Sequence, residues 1–149
     1  MNNNSLKSLV EELFKKLDPE AMVAVFPVKD ETLSIDIRVQ DPNVLIGQNG
    51  ETLFEIQHLL KVILKRKLNQ SVYVDLDINS YKKKKAEYLK ELARASANDV
   101  SLSRRTKMLA PMVAYERRII HLELAGREDV VTESIGQGSS RKVVIKPRP

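Results

Sequence analysis

Val44-Leu45-Ile46-Gly47-Gln48-Asn49-Gly50-Glu51-Thr52-Leu53 is the stretch on which the reading of this fold turns. Two glycines flank two polar residues, and a long amphipathic helical pattern begins directly after them. Glycine lets a chain turn sharply and lets another molecule's backbone approach with no Cβ in the way. A helix starting near Glu51 aims its unpaired N–H groups at the loop, a geometry that suits a phosphate. G-x-x-G alone is a common string. Its weight here comes from the strands before it, the helix after it and a second signal in the last third of the chain.

Upstream, Leu6, Leu9, Val10, Leu13, Phe14 and Leu17 recur at three- and four-residue steps. That spacing predicts an amphipathic helix from Ser5, read as its N-cap, to about Leu17, ended by Asp18-Pro19. Met22–Val28 is an apolar, β-rich run. Leu33, Ile35, Ile37 and Val39 then alternate with polar residues, which predicts a half-buried strand. The short Lys29-Asp30-Glu31 connection makes the two runs an antiparallel hairpin. Asp41-Pro42-Asn43 breaks the second strand, and only one short turn fits before Gly47. Downstream, Leu53, Ile56, Leu60, Ile63 and Leu64 form one helical face ending near Asn69-Gln70, and Val72–Ile78 returns to strand alternation.

The second half is read the same way. Tyr81 to about Ser103 is a long helix with Leu89, Leu92, Ala93, Ser96 and Val100 facing inward and four lysines, Lys82–Lys85, at its start. Cations at a helix N-terminus oppose the macrodipole, so the lysines are either a solvated turn or contacts to something else. No Gly/Ser/Pro linker precedes this helix, which makes the helix itself the expected connector. A short candidate strand at Arg105–Leu109 follows. Pro111 is expected to open a helix running to about Ala125, with Gly126 stopping it. Val130–Ile135 and Lys142–Ile145 are strands joined by Gly136-Gln137-Gly138-Ser139-Ser140. On the second helix Arg117 and His121 lie four apart and therefore share a face.

Composition narrows the chemistry. The chain has 149 residues, 42% of them apolar, enough for one ordinary domain or two small ones. There is no cysteine, which excludes disulfides, thiolate metal sites and cysteine nucleophiles. The N-terminal Met1–Ser5 has neither a basic nor an apolar signal region, and no apolar run approaches the roughly 20 residues that span a bilayer. The expectation is a soluble, cytoplasmic protein with no membrane insertion. The net charge of +5 hides an asymmetry: residues 1–79 hold 9 Lys and Arg against 12 Asp and Glu, residues 80–149 hold 16 against 8. The basic half is the better partner for a polyanion.

The first unit, α-β-β-turn-G-x-x-G-α-β, resembles a KH domain of the type II arrangement. The second, an α-β-α-β-β order around Arg117-x-x-x-His121, resembles an R-three-H domain, named for that Arg-x-x-x-His element. Together they imply an α+β chain, residues 1–79 forming the KH-like unit and 80–149 the R-three-H unit. A KH unit followed directly by an R-three-H unit resembles the bacterial Jag (SpoIIIJ-associated) family of RNA-binding proteins. Glu116-Arg117-Arg118-Ile119-Ile120-His121 and Ser140-Arg141-Lys142-Val143-Val144-Ile145-Lys146-Pro147 look like that family's second-domain core. Many members carry a further N-terminal Jag domain, and none is expected within these residues. KH loops usually place a basic residue between the glycines, whereas Gln48-Asn49 is neutral.

What the resemblance implies is binding of single-stranded nucleic acid, RNA before single-stranded DNA, by a bacterial post-transcriptional regulator linked to cell elongation or envelope growth. The expected contacts are Ile46, Gly47, Gln48, Asn49 and Gly50 in the loop, Leu45 and Ile46 serving mainly to pack. In the second unit they are Arg117 and His121, enlarged by Arg118, Lys107 and Arg141, with a protonated His121 attracting phosphate below about pH 6.5. Aromatics are only 5% of the chain, which argues against extensive stacking platforms. The histidines, His58 and His121, stand in no metal-ligand spacing, and no nucleophile elbow or Walker loop is present. No catalytic residue, metal or cofactor is expected, and the chain reads as a binder rather than an enzyme. His58, beside Leu59-Leu60, reads as partly buried, and Asp75 and Asp77 as a solvated pair. The rival reading is a protein-interaction adaptor, whose acidic KH unit recruits a KH-only protein or a second copy while the R-three-H unit alone touches nucleic acid.

Overall fold

Parallel strands need a crossover, and the run from Asn43 to Leu68 supplies one. In a computed structural model describing residues 3–69 and 71–149, the first sheet has strand order β1-β2-β3. Here β1 (Met22–Val25) pairs antiparallel with β2 (Thr32–Arg38), and β2 pairs parallel with β3 (Tyr73–Ile78). The antiparallel pair closes with a tight turn, Asp30 and Glu31 both at positive φ between the mutually bonded Lys29 and Thr32. The parallel pair is bridged by the short helix α2 (Asn43–Ile46), a 3-10 turn at Gln48–Gly50 and the long helix α3 (Glu51–Leu68). Helix α1 (Asn3–Leu17) precedes the sheet. Met1 and Asn2 of the N-terminal stretch, and Gln70 at the expected end of α3, lie outside the described residues.

Period-2 alternation places Leu33, Ile35 and Ile37 of β2, with Val74, Leu76 and Ile78 of β3, on one sheet face. That face packs with Leu6, Val10 and Phe14 of α1 and Leu53, Leu60 and Leu64 of α3, all buried. Each fully buried Leu, Ile or Phe contributes about 1.5–3 kcal/mol of apolar transfer. The opposite face carries Met22, Ser34, Asp36, Arg38, Tyr73 and Asp75 in partial or full contact with solvent.

The chain divides into two compact units, Met1–Lys82 and Lys83–Pro149. The second is built from α4 (Tyr81–Ser103, its first two residues belonging to the first unit), β4 (Lys107–Met108), α5 (Ala114–Leu124), β5 (Val130–Ile135) and β6 (Lys142–Pro147). Its antiparallel sheet has the order β4-β6-β5. Leu89, Ala93, Ala97 and Val100 line one stripe of α4 and pack in a core with Ile120 and Leu124 of α5 and Val143 and Ile145 of β6. The α+β order expected for both units is therefore observed.

Several local expectations need correction. Helix α1 already includes Asn3 and Asn4, so Ser5 is a helical residue and not its cap. Strand β1 stops at Val25 instead of Val28. Pro111 does not open α5, which begins at Ala114 with an extended Val113 before it. The cause is tertiary: the N–H groups of Leu109 and Met112 bond the carbonyls of Val143 and Arg141, holding this segment extended beside the sheet. His58 is exposed, not partly buried.

Candidate functional site

The G-x-x-G loop is set by backbone conformations that side chains resist. Gly47 sits at φ 71°, Gly50 at φ 79° and Asn49 at φ 54°. Asparagine tolerates that left-handed region better than most residues. A Cβ at Gly47 would run into the Thr52 hydroxyl, and one at Gly50 would lie 2.7 Å from Tyr81 Cε1. Both glycines are therefore needed by the fold itself, whatever approaches from outside. Gln48 and Asn49, between them, are exposed. Leu45 is buried and Ile46 partly buried against the core, so Ile46 supports the loop, while Val44 is 76% exposed beside it. Glu51 begins α3, where its carboxylate complements the helix dipole and competes with any incoming phosphate.

Tyr81 belongs to an anchored turn. Lys82 Nζ donates to Gln57 Oε1 (2.7 Å) and Asp75 Oδ1 (2.8 Å), and lies 5.4 Å from the Phe54 ring centroid. Gln57 Oε1 also accepts from the Leu76 N–H on the edge strand β3 (3.1 Å). Asp77 Oδ1 accepts from the N–H groups of Ile78 (2.8 Å) and Lys82 (3.0 Å). The first of the four lysines is thus a structural cation. The two aspartates are engaged rather than a merely solvated pair: Asp77 caps the start of α4 and Asp75 neutralises Lys82. Lys85 is also engaged, 3.7 Å from the buried carboxylate of Glu116. Lys83 and Lys84 are exposed and form no ion pair among the described residues.

In the second unit the Met112 backbone links the segments of two of the expected arginines, and β5 engages the histidine. Arg117 Nε donates to the Met112 carbonyl (3.2 Å), and the Met112 N–H donates to the Arg141 carbonyl (3.1 Å). Arg141 Nη1 in turn donates to the Gly136 carbonyl (2.7 Å) at the head of the β5–β6 loop. Neither arginine has a carboxylate partner among the described residues, and Arg118 is exposed. Lys107 is spoken for by Asp99, Nζ to Oδ2 2.9 Å.

His121 Nδ1 is 2.7 Å from Thr132 Oγ1, and Nε2 is 2.7 Å from Ser134 Oγ. Both ring nitrogens are satisfied by hydroxyls of β5. Burial, and then the charge of Arg117, push the imidazole pKa below its ordinary value. The ring thus bridges helix to sheet, and its environment disfavours the protonated form. Sequence reading missed Thr132 and Ser134 as partners; their i, i+2 placement in a strand, both polar, was the available signal. Just before β5, Arg127 Nε bonds Asp129 Oδ1 (2.8 Å) and Arg127 Nη1 bonds Asn98 Oδ1 (2.7 Å). Among the described residues no group of three or more His, Asp or Glu is arranged to hold a metal ion, and no helix is long and apolar enough to cross a membrane.

Comparison with known proteins adds to this geometry. The family model for the KH domain matches residues 8–86, and that for the R-three-H domain residues 87–147. Curated relatives named RNA-binding protein KhpB are similar over much of the chain. The one from Clostridium symbiosum is 31% identical over 137 residues, 91% of this chain and 62% of its own length. Those from Lactiplantibacillus plantarum and Bacillus subtilis are each 33% identical, over 99% and 77% of this chain and 46% and 56% of their own lengths. The chain thus spans roughly half the length of the curated relatives it matches.

Proposed function

Because the chain belongs to the KH-domain family and carries an R-three-H domain behind it, the pairing of the Jag proteins, we propose that it binds single-stranded RNA through a contact in each unit. In the first, the Gly47–Gly50 loop admits the sugar-phosphate backbone, and Gln48 and Asn49 donate neutral hydrogen bonds to it. In the second, Arg117, Arg118 and Arg141 meet phosphates. His121 holds the Arg117 helix on β5, and Lys107 joins only by exchanging Asp99 for a phosphate. The chemistry is binding, with no reaction at either site. The observation that carries the reading is Arg117: its Nε is fixed by a backbone carbonyl, and no carboxylate among the described residues neutralises its guanidinium. Relatives named as RNA-binding proteins support the same reading.

Affinity for a short single-stranded RNA, measured across salt concentrations, tests this. The log–log slope is about −0.7 per phosphate neutralised, and Arg117→Ala lowers its magnitude by about one such step. Stability changes by no more than about 1 kcal/mol, the worth of the single hydrogen bond to Met112. Loss of fold with unaltered binding by the folded fraction would show Arg117 to be structural and sink the assignment. Single-stranded DNA of the same sequence shows whether the 2′-hydroxyl matters.

One observation favours a second reading, the adaptor. The solvent face of the first sheet combines the exposed Met22, Phe26 and Tyr73 with Asp36 and Asp75, a surface better suited to a protein than to a polyanion. Under it the KH unit recruits a KH-only partner or a second copy. Met22→Lys with Phe26→Lys then abolishes that association and spares RNA binding; unchanged oligomeric state and unchanged recovery of partner proteins from cells rule it out. A cytoplasmic role in post-transcriptional control of cell elongation or envelope growth rests on the resemblance to Jag proteins. RNA crosslinking in the native cell tests it, and recovery of no transcripts ends it.

A further inference from the structure

We propose that Tyr88 of α4 and Tyr115 of α5 form a base-stacking site for single-stranded RNA on the second unit. The inference rests on the RNA-binding reading above and says where the bases go, which neither the arginines nor the G-x-x-G loop answers. Flat groups for stacking are scarce in this chain: there is no tryptophan, and the tyrosines number four. The His121 ring is occupied at both nitrogens and only partly exposed. Tyr81 is partly buried against Gly50 and the first core. Tyr88 and Tyr115 are 57% and 45% exposed, and both belong to the basic unit.

A single ion pair ties together the segments that carry the two rings. Lys85 Nζ lies 3.7 Å from Glu116 Oε1 and 5.7 Å from the Tyr88 ring centroid, and Glu116 directly follows Tyr115. Glu116 is buried, so this pair fixes the start of α5 beside the first turns of α4. A cation over one face of a tyrosine polarises the ring and leaves the other face for a base. Each ring also has an exposed cation one turn away on its own helix, Lys84 four residues before Tyr88 and Arg118 three residues after Tyr115. Neither cation is ion-paired among the described residues, so both are available to the phosphates flanking a stacked base. Nearby carboxylates limit the site on one side: Glu87 is 3.6 Å from Lys90, and Glu91 is exposed one turn beyond Tyr88. The strand is therefore expected to run at the Lys84 and Arg118 end. A peptide partner would be offered the same rings, but the exposed cations Lys84 and Arg118 favour a polyanion carrying flat bases, with Glu91 bounding the site beyond Tyr88.

The full chain is titrated with oligo(A) and with an abasic ribose-phosphate oligomer of equal length, across salt. Wild type binds oligo(A) more tightly than the abasic strand. Tyr88→Leu and Tyr115→Leu each lower oligo(A) affinity by about tenfold, leave abasic binding and the salt slope in place, and Tyr→Phe at either position restores affinity. Should the Leu variants fail to fold by circular dichroism, tyrosine emission decides. Oligo(A) quenches wild-type emission, and the quench shrinks strongly in the tightly binding Tyr88→Phe/Tyr115→Phe double variant. Equal losses for oligo(A) and the abasic strand, no loss at all, or an undiminished quench in the double variant overturns the stacking site while RNA binding itself stands. Absence of wild-type binding to either strand, in contrast, removes the RNA reading and this site with it.

Discussion

His121 shows how much a single side chain's environment alters its meaning. On a helical wheel it is an exposed partner of Arg117; in the fold it spans Thr132 and Ser134 with both nitrogens. Its pKa is lowered, first by burial and then by Arg117. The folded state thus holds fewer protons on this ring than the unfolded chain does. Its stabilising contribution is complete above the unfolded value of about 6.5 and is lost as pH falls through the lower, folded pKa. His121→Ala is expected to cost about 1–3 kcal/mol at neutral pH, the worth of two hydrogen bonds and their stranded hydroxyls. The same change flattens the acid side of the stability profile, measured by urea unfolding. RNA affinity is expected to show no His121-dependent rise on acidification; a clear rise would restore the ring as a phosphate contact.

At the scale of elements, the G-x-x-G loop depends on a helix start remote in sequence. Asp77 caps α4, Lys82 locks its first turn to Gln57 and Asp75, and Tyr81 is thereby set against Gly50. Aspartate at either glycine is therefore a poor probe of binding, since it collides with Thr52 or Tyr81 and strains a positive φ. Gln48→Glu with Asn49→Asp is cleaner. Both side chains are exposed, the replacements are near-isosteric, and aspartate tolerates the left-handed φ at position 49. The double change should leave the melting temperature within a few degrees, as surface substitutions cost about 0.5 kcal/mol or less. It should weaken RNA binding, by repulsion between the new carboxylates and phosphate. Unchanged affinity in a folded double variant would remove the loop from the interface. Gly50→Ala, by contrast, is expected to lower the melting temperature, because the methyl meets the Tyr81 ring at 2.7 Å.

For the whole molecule, two cores in one chain predict two units that fold on their own terms. The boundary matters. A cut after residue 79 strips the first unit of Tyr81 and Lys82, so a fragment 1–86 is expected to melt well above a fragment 1–79. Differential scanning calorimetry of the two decides, and equal melting would show the α4 turn to be dispensable. The fragment 80–149, with twice as many basic as acidic side chains, is expected to keep most of the salt dependence of RNA binding. A steep slope carried instead by the acidic fragment would reverse this division.

Element order, the strand and helix periods, the G-x-x-G loop between a short turn and a long helix, and the excess of positive charge after residue 80 were all determined by the sequence alone. Each is written in local spacing and composition, which one stretch of chain expresses without help from another. Tertiary structure decided the rest. It kept residues after Met108 extended past Pro111 because the N–H groups of Leu109 and Met112 found carbonyls beside β6. It turned Lys82 and Lys85 from a cationic run into paired anchors, and gave the His121 ring two hydroxyl partners on β5. It also gave Gly50 a neighbour, Tyr81, thirty-one residues away in the chain. A side chain's charge and freedom depend on which groups from distant segments lie within a few ångströms, and no local pattern records that distance.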